Sequence, residues 1–184
     1  MILVVDLNWR KDSLAYFEFV SPLVLAAEEV DRCRVKHYLD VTSEDLNEAD
    51  SIVLSGTPLK DNVTLQQPEK FSWLKTVEKP VLGVCAGMQT LGAVFGLQLT
   101  RCLQIGMTQI CTVTENQLFS GTFKAYTLHN FSVEASGEFE VLAESARCTQ
   151  AIKHKRRAVY GMLFHPEVRN VEVLKRFFQS ARRE

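Results

Sequence analysis

Short apolar runs without polar alternation recur through the first half of the chain: Ile2–Asp6 (ILVVD), Ser51–Ser55 (SIVLS) and Val81–Val84 (VLGV). A strand with one face in water alternates apolar and polar residues, whereas a run that is apolar throughout belongs to a strand covered on both faces. Helical patterns separate these runs. Asp12–Val30 reads as helix, with Pro22 as a break or second start. Pro68–Glu78 carries helical spacing at Phe71, Leu74 and Val77, Gly87–Phe95 is a further helix, and Arg34–Leu39 adds a strand. Buried strands joined through helices predict a three-layer α/β fold, a mostly parallel central sheet with helices on both faces.

The pattern changes after Leu97. Strand candidates follow one another with little helix: Gln109–Val113, Thr122–Leu128, Val141–Ala143, Ala151–His154 and Ala158–Phe164. They predict antiparallel hairpins, with returning strands that rejoin the main sheet. Val171–Ala181 closes the chain as an amphipathic helix with Leu174, Phe177 and Phe178 inward. No repeat or linker interrupts residues 1–184, which read as a single domain.

The formal net charge of -1 supplies no global field toward nucleic acid or an anionic membrane. No apolar stretch approaches the ~20 residues that span a bilayer. Met1 runs directly into the first strand without a basic leader, so a cytoplasmic protein is expected. The five cysteines have no short paired spacing, which argues against a disulfide framework or a structural zinc site. Four of them, Cys33, Cys102, Cys111 and Cys148, read as small buried residues or inert thiols. No metal or cofactor is expected.

Cys85 is different. It sits in Val81-Leu82-Gly83-Val84-Cys85-Ala86-Gly87-Met88-Gln89, an apolar strand, then Gly-x-Cys-x-Gly, then a helix. A nucleophile on a sharp strand-to-helix turn needs small neighbours, because its backbone is strained and other chain segments pass close by. The helix N-terminus favours a thiolate and directs N–H groups at a developing oxyanion. A matching base lies in Tyr160-Gly161-Met162-Leu163-Phe164-His165-Pro166-Glu167. If this strand runs parallel to the first, His165 reaches the same sheet edge. Pro166 holds residue 165 extended, and Glu167 is placed to orient the imidazole as the third member of a triad.

GVCAGMQ followed about eighty residues later by YGMLFHPEV resembles the class I glutamine amidotransferases, and most of all the separate glutaminase subunits of archaeal GMP synthetases. The resemblance extends to Leu54–Gly56 (LSG) and Gln150–Lys155 (QAIKHK). It implies a flavodoxin-like amidotransferase fold and a glutaminase. Cys85 would attack the glutamine amide, and the resulting thioester would be hydrolysed. Ammonia would pass to a separate ATP-dependent synthetase subunit, with GMP synthesis as the suggested outcome. Residue by residue, Cys85, His165 and Glu167 match the triad. Ala86 and the loop at Gly56 and Thr57 match the oxyanion hole. Gln89, His129 and Asn130 match substrate-binding positions.

The chain departs from the family pattern at Ser55-Gly56-Thr57-Pro58, where Ser-Gly-Gly-Pro is usual. Glycine permits φ > 0 there and a β-branched threonine resists it, so the loop is expected either to sit differently or to need a partner to set it. Two other readings stand beside the first: a free-standing γ-glutamyl hydrolase, and a non-catalytic regulatory module for which Thr57 is the best support. The run Lys153-His154-Lys155-Arg156-Arg157 reads as a solvated hairpin tip, with a docking surface as the sharper alternative. No Gly-x-x-x-x-Gly-Lys-Ser/Thr loop is present, so ATP chemistry is expected on another chain.

Overall fold

A computed structural model describes residues 1–181; the last three residues of the 1–184 reading lie outside the described part. In chain order the elements are β1 (Ile2–Asp6), α1 (Ala15–Phe19), α2 (Ser21–Glu28), β2 (Cys33–His37), α3 (Ser43–Glu48), β3 (Ser51–Leu54), α4 (Val63–Gln66), β4 (Val81–Val84), α5 (Ala86–Phe95), β5 (Gln98–Thr112), β6 (Thr122–Glu134), β7 (Phe139–Glu144), β8 (Thr149–His154), β9 (Val159–Met162), α6 (Pro166–Arg169) and α7 (Val171–Ser180). The strands form one sheet in the order β2-β1-β3-β4-β9-β8-β7-β5-β6. Pairing is parallel from β2 to β9 and antiparallel from β9 to β6. No helix among the described residues is long and apolar enough to cross a membrane.

Every residue of β1, β3, β4 and β9 is buried. Their side chains alternate between two cores. Val4, Val53 and Leu82 pack on one face with Leu23 of α2 and Leu174, Phe177 and Phe178 of α7. Leu3, Val5, Ile52 and Leu54 pack on the other with Met88 and Leu91 of α5. Each fully buried large side chain contributes about 1.5–3 kcal/mol, so both faces drive these strands into the centre.

Some expected elements take a different form. Pro68–Lys75 is a 3-10 stretch broken at Phe71 (φ -110°, ψ 17°), not an α-helix. Phe71 and Leu74 are buried there, and spacing of three suits the tighter helix. The break at Pro22 divides the first helical segment into α1 and α2, as its missing N–H requires. A capping box at Thr42 and Asp45 starts α3, a helix that the apolar spacing does not announce.

The largest difference is at β5 and β6. They begin at Gln98 and end at Glu134, well beyond the expected Gln109–Val113 and Thr122–Leu128. Most of β5 pairs only with β6, and it meets β7 only at Cys111 and Thr112. The two strands form a long arm that is largely half-buried or exposed along β5, so polar residues interrupt the pattern that would mark a core strand. The arm's extra length carries His129 and Asn130. In the basic run, Arg157 turns inward. Its guanidinium donates to the carbonyls of Leu74, Lys75 and Val77 and lies over the Phe95 ring.

Close approach decides two glycines of the elbow. A Cβ on Gly83 would come 2.5 Å from the backbone of Gly87, and one on Gly87 would come 2.6 Å from Leu54 O. On Gly161 the nearest obstacle is the flexible Met88 side chain. Gly83→Ala should therefore cost about 1–3 kcal/mol or more in urea unfolding, as overpacking against backbone does. Gly161→Ala should cost less, because methionine adapts. Equal losses would show that the backbone at Gly83 yields freely.

Candidate active site

β4 ends at Val84, and the chain turns into α5 through Cys85. Cys85 has φ 49° and ψ -102°, one of two non-glycine residues with positive φ among the described residues. That conformation costs of order 1–3 kcal/mol and persists only where its surroundings hold it. Here the Cys85 N–H donates to Met162 O of β9 at 2.7 Å, and Cys85 O accepts from Gln89 N at 3.1 Å. The thiol donates to Leu128 O at 3.3 Å. Ala86 is the first residue of α5, where helical N–H groups have no intrahelical partner.

β9 lies beside β4 in parallel register, Val84 opposite Met162. Three residues later His165 emerges at the same end of the sheet as Cys85. Its N–H donates to Tyr126 O at 2.8 Å. Pro166 starts α6, and Glu167 falls in its first turn. His165 Nδ1 lies 2.7 Å from Glu167 Oε1, with both side chains buried. Burial opposes a charge on this imidazole, but Cys85 and Glu167 outweigh it and hold the His165 pKa well above its ordinary 6.5. Nδ1 is committed to Glu167, whereas Nε2 is buried without a hydrogen-bond partner and the Cys85 thiol is turned to Leu128 O.

Gly56 has a packing reason rather than a conformational one. It is not in the positive-φ region, but a Cβ there would stand 2.9 Å from His165 Cε1. Thr57 is also outside the positive-φ region, and its Oγ1 donates to Asp61 O at 3.0 Å. The loop is closed over itself, and Asn130 Nδ2 ties it to β6 by donating to Leu59 O at 3.0 Å. Gln89 Nε2 donates to Phe131 O at 2.9 Å. Burial pushes the His129 pKa down to about 4, against the opposing effect of its hydrogen bond to Cys102 O.

Thr57, Cys85, Ala86, Gln89, His129 and Asn130 line one cavity of about 10 Å³, room for roughly one water. His165 and Glu167 stand on the neighbouring strand end, and Gly56 lies against the imidazole. The sequence-predicted residues thus converge on one end of the sheet, in a closed conformation. Asp61 and Asn62 also line the cavity; nothing in the sequence distinguishes them beyond their place after the Ser55–Pro58 turn. Two larger clefts of about 410 Å³, beside Trp73 and beside Phe95, contain no cysteine.

Cys102 and Cys148, which no short spacing links in the sequence, come together beside His129. Ligand atoms of Cys102, His129 and Cys148 lie within 4.8 Å of one another. The three residues come from β5, β6 and the β7–β8 turn, and no spacing rule links such distant positions.

The chain matches the family model described as glutamine amidotransferase class-I over residues 19–180. A glutamine-hydrolysing GMP synthase subunit from Saccharolobus solfataricus is 31% identical over 152 residues, covering 76% of this chain and 81% of the relative. The corresponding subunit from Methanocaldococcus jannaschii is 32% identical over 149 residues, covering 73% and 75%. The crystal structure of a putative GMP synthase subunit from Thermoplasma acidophilum superposes with a TM-score of 0.84 at 22% identity, covering 99% of this chain and 94% of that one. A glutamine amidotransferase from Thermotoga maritima gives 0.67 at 19% identity, covering 100% and 83%. The two structures share the three-layer fold with this chain.

The raised pKa of His165 has a consequence for stability. A histidine whose folded pKa exceeds its unfolded value contributes stability that is fully present below about pH 6.5 and is lost as pH rises through the folded pKa. Unfolding free energy, measured in urea, should therefore decline above pH 6.5 in the parent and decline less in His165→Gln. By NMR, the His165 ring should titrate well above 6.5, and Cys85→Ser should lower its midpoint. A midpoint unchanged by Cys85→Ser would uncouple the two groups.

Proposed function

This chain belongs to the class I glutamine amidotransferases, and on that premise we propose that it is a glutaminase that releases ammonia for a separate synthetase. The reading rests above all on one arrangement: a cysteine at positive φ on a strand-to-helix turn, beside a buried histidine–glutamate pair on the adjoining parallel strand.

In this mechanism the Cys85 thiolate attacks the carboxamide carbon of glutamine. The carbonyl oxygen becomes an oxyanion, facing the Ala86 N–H and an N–H of the Gly56–Thr57 loop. His165 delivers a proton to the departing nitrogen, and ammonia leaves with a γ-glutamyl thioester on Cys85. His165 then takes a proton from water as it attacks the thioester, and glutamate is released with the thiolate restored. Glu167 orients the imidazole and balances its charge. Gln89, His129 and Asn130 form the wall that would receive the amino-acid end of the substrate.

The relatives named as GMP synthase subunits support GMP synthesis as the destination of the ammonia, with an ATP-dependent synthetase on another chain. The closed cavity supports control by that partner. Glutamine needs the Thr57–Asn62 loop to move away from β6, which breaks the bond from Asn130 to Leu59 O. A threonine bonded to Asp61 O resists the change of backbone that would aim a loop N–H at the oxyanion.

A glutamine-derived diazoketone should label Cys85 in preference to Cys33, Cys102, Cys111 and Cys148. Peptide mapping that finds the label elsewhere would refute the nucleophile. His165→Ala should lower kcat by about 10⁴–10⁶-fold, and Glu167→Gln by less, as for base and orienter in other triads.

Basal glutamate release by the isolated chain should be weak and should rise by up to about 10²–10³-fold with synthetase, ATP and acceptor, the worth of one oxyanion donor. Thr57→Gly should raise the basal rate and shrink the partner's effect. Full activity in isolation, unchanged by a synthetase, would remove the coupling.

A further inference from the structure

Behind the wall of the candidate cavity lies a second cluster, and we propose that Cys102, His129 and Cys148 form a binding site for a zinc-class divalent cation. Their ligand atoms lie within 4.8 Å of one another. A tetrahedral zinc with bonds of about 2.3 Å to sulfur and 2.0 Å to nitrogen holds its ligand atoms roughly 3.5–3.8 Å apart. A contraction of about one ångström closes the triangle.

The local structure prepares each ligand. Cys102 lies where β5 loses register with β6, between Arg101 and Gln104. Such a bulge re-aims side chains and frees backbone groups. The freed Cys102 carbonyl lies 2.9 Å from His129 Nδ1. A carbonyl can only accept, so Nδ1 carries the proton and Nε2 presents a lone pair. Metal-bound histidines are oriented in this way, with the second ring nitrogen donating to a carbonyl or carboxylate. Cys148 sits in the β7–β8 turn, held by Ser145: its N–H donates to Ser145 Oγ at 3.2 Å, and its carbonyl accepts from that hydroxyl at 3.2 Å.

A fourth polar side chain packs against the cluster. Gln150 is fully buried and reaches into the same cluster, with Nε2 3.4 Å from both His129 Nε2 and Cys148 Sγ. The same Gln150 Nε2 donates to Gln104 Oε1 at 2.9 Å. Three protein ligands leave the fourth tetrahedral position to water. Soft thiolates with one imidazole select zinc-class ions over magnesium or calcium. Binding expels the two thiol protons and forms two metal–sulfur bonds and one metal–nitrogen bond, with no change of oxidation state. The ion would join β5, β6 and the β7–β8 turn at the back of the cavity. The proposal does not depend on the glutaminase reading.

The test uses the full reduced chain with Co²⁺ and Zn²⁺ alone. Co²⁺ should bind at about one ion per chain and give thiolate-to-metal charge-transfer absorption, which Zn²⁺ then abolishes. Cys102→Ser and Cys148→Ser should each remove most of the absorption, and Cys33→Ser should leave it intact. In the unmutated chain, Zn²⁺ should protect Cys102 and Cys148 from alkylation, and a chelator should reverse this. Cys111, which is exposed, should react throughout. This second readout stands even if a serine variant fails to fold. Absence of the charge-transfer band, its survival in the double serine variant, or alkylation of Cys102 and Cys148 unchanged by saturating Zn²⁺ would overturn the proposal. So would a reduced protein that binds no metal but forms a Cys102–Cys148 disulfide in air.

Discussion

The candidate site depends on the parallel pairing of β4 with β9. These strands are far apart in the chain, yet Val84 stands opposite Met162 and the Cys85 N–H bonds to Met162 O. Parallel strands end at the same edge, so a cysteine just past one end and a histidine just past the other emerge side by side. An antiparallel partner would have carried His165 to the opposite edge. The same hydrogen bond helps to hold Cys85 in its disfavoured backbone conformation. Strand pairing, strain at the elbow and the meeting of thiol with imidazole are therefore one arrangement. Glycine is required where segments cross: Gly83 against Gly87, Gly87 against Leu54 O, and Gly56 against the imidazole.

Charge follows from that placement. His165 and Glu167 are buried where an unpaired charge would be costly. The imidazole nevertheless favours its protonated form, because Cys85 and Glu167 lie close enough to outweigh desolvation. His129, a short distance away, is governed by burial and stays neutral at physiological pH. Two histidines at one site are thus driven in opposite directions, the first upward by Cys85 and Glu167 and the second downward chiefly by burial. The loop above them is held by Thr57 to Asp61 O and Asn130 to Leu59 O. Each such hydrogen bond contributes about 1 kcal/mol to holding the loop against β6.

Legibility follows the distribution of apolar residues. Ile2–Asp6 and Val81–Val84 are readable to the residue, because strands buried on both faces read as nearly continuous apolar runs. The Pro22 break and the inward face of α7 are readable for equally local reasons. The arm of β5 and β6 is not: with few partners beyond each other, its strands carry Arg101, Gln104 and Gln109 among apolar residues, and the periodic signal fails. In the sequence Gly56 is matched only as part of the oxyanion loop, whereas the structure shows its need to be clearance for the His165 ring. Cys102 and Cys148 look unrelated in the sequence because no short spacing joins them.

By itself, then, the sequence determined the fold class, the elbow at Cys85 and the His165-Pro166-Glu167 segment. Each is encoded over a few neighbouring residues, where apolar runs, glycines and a proline act through local sterics and burial. Tertiary structure alone decided that β9 pairs parallel with β4, and that Asn130 closes the loop over a cavity with little free volume. It also decided that His129 stands between the candidate cavity and two distant cysteines. These are contacts between elements well separated in the chain. They arise from packing the whole sheet and its arm, and no local pattern of residues records them.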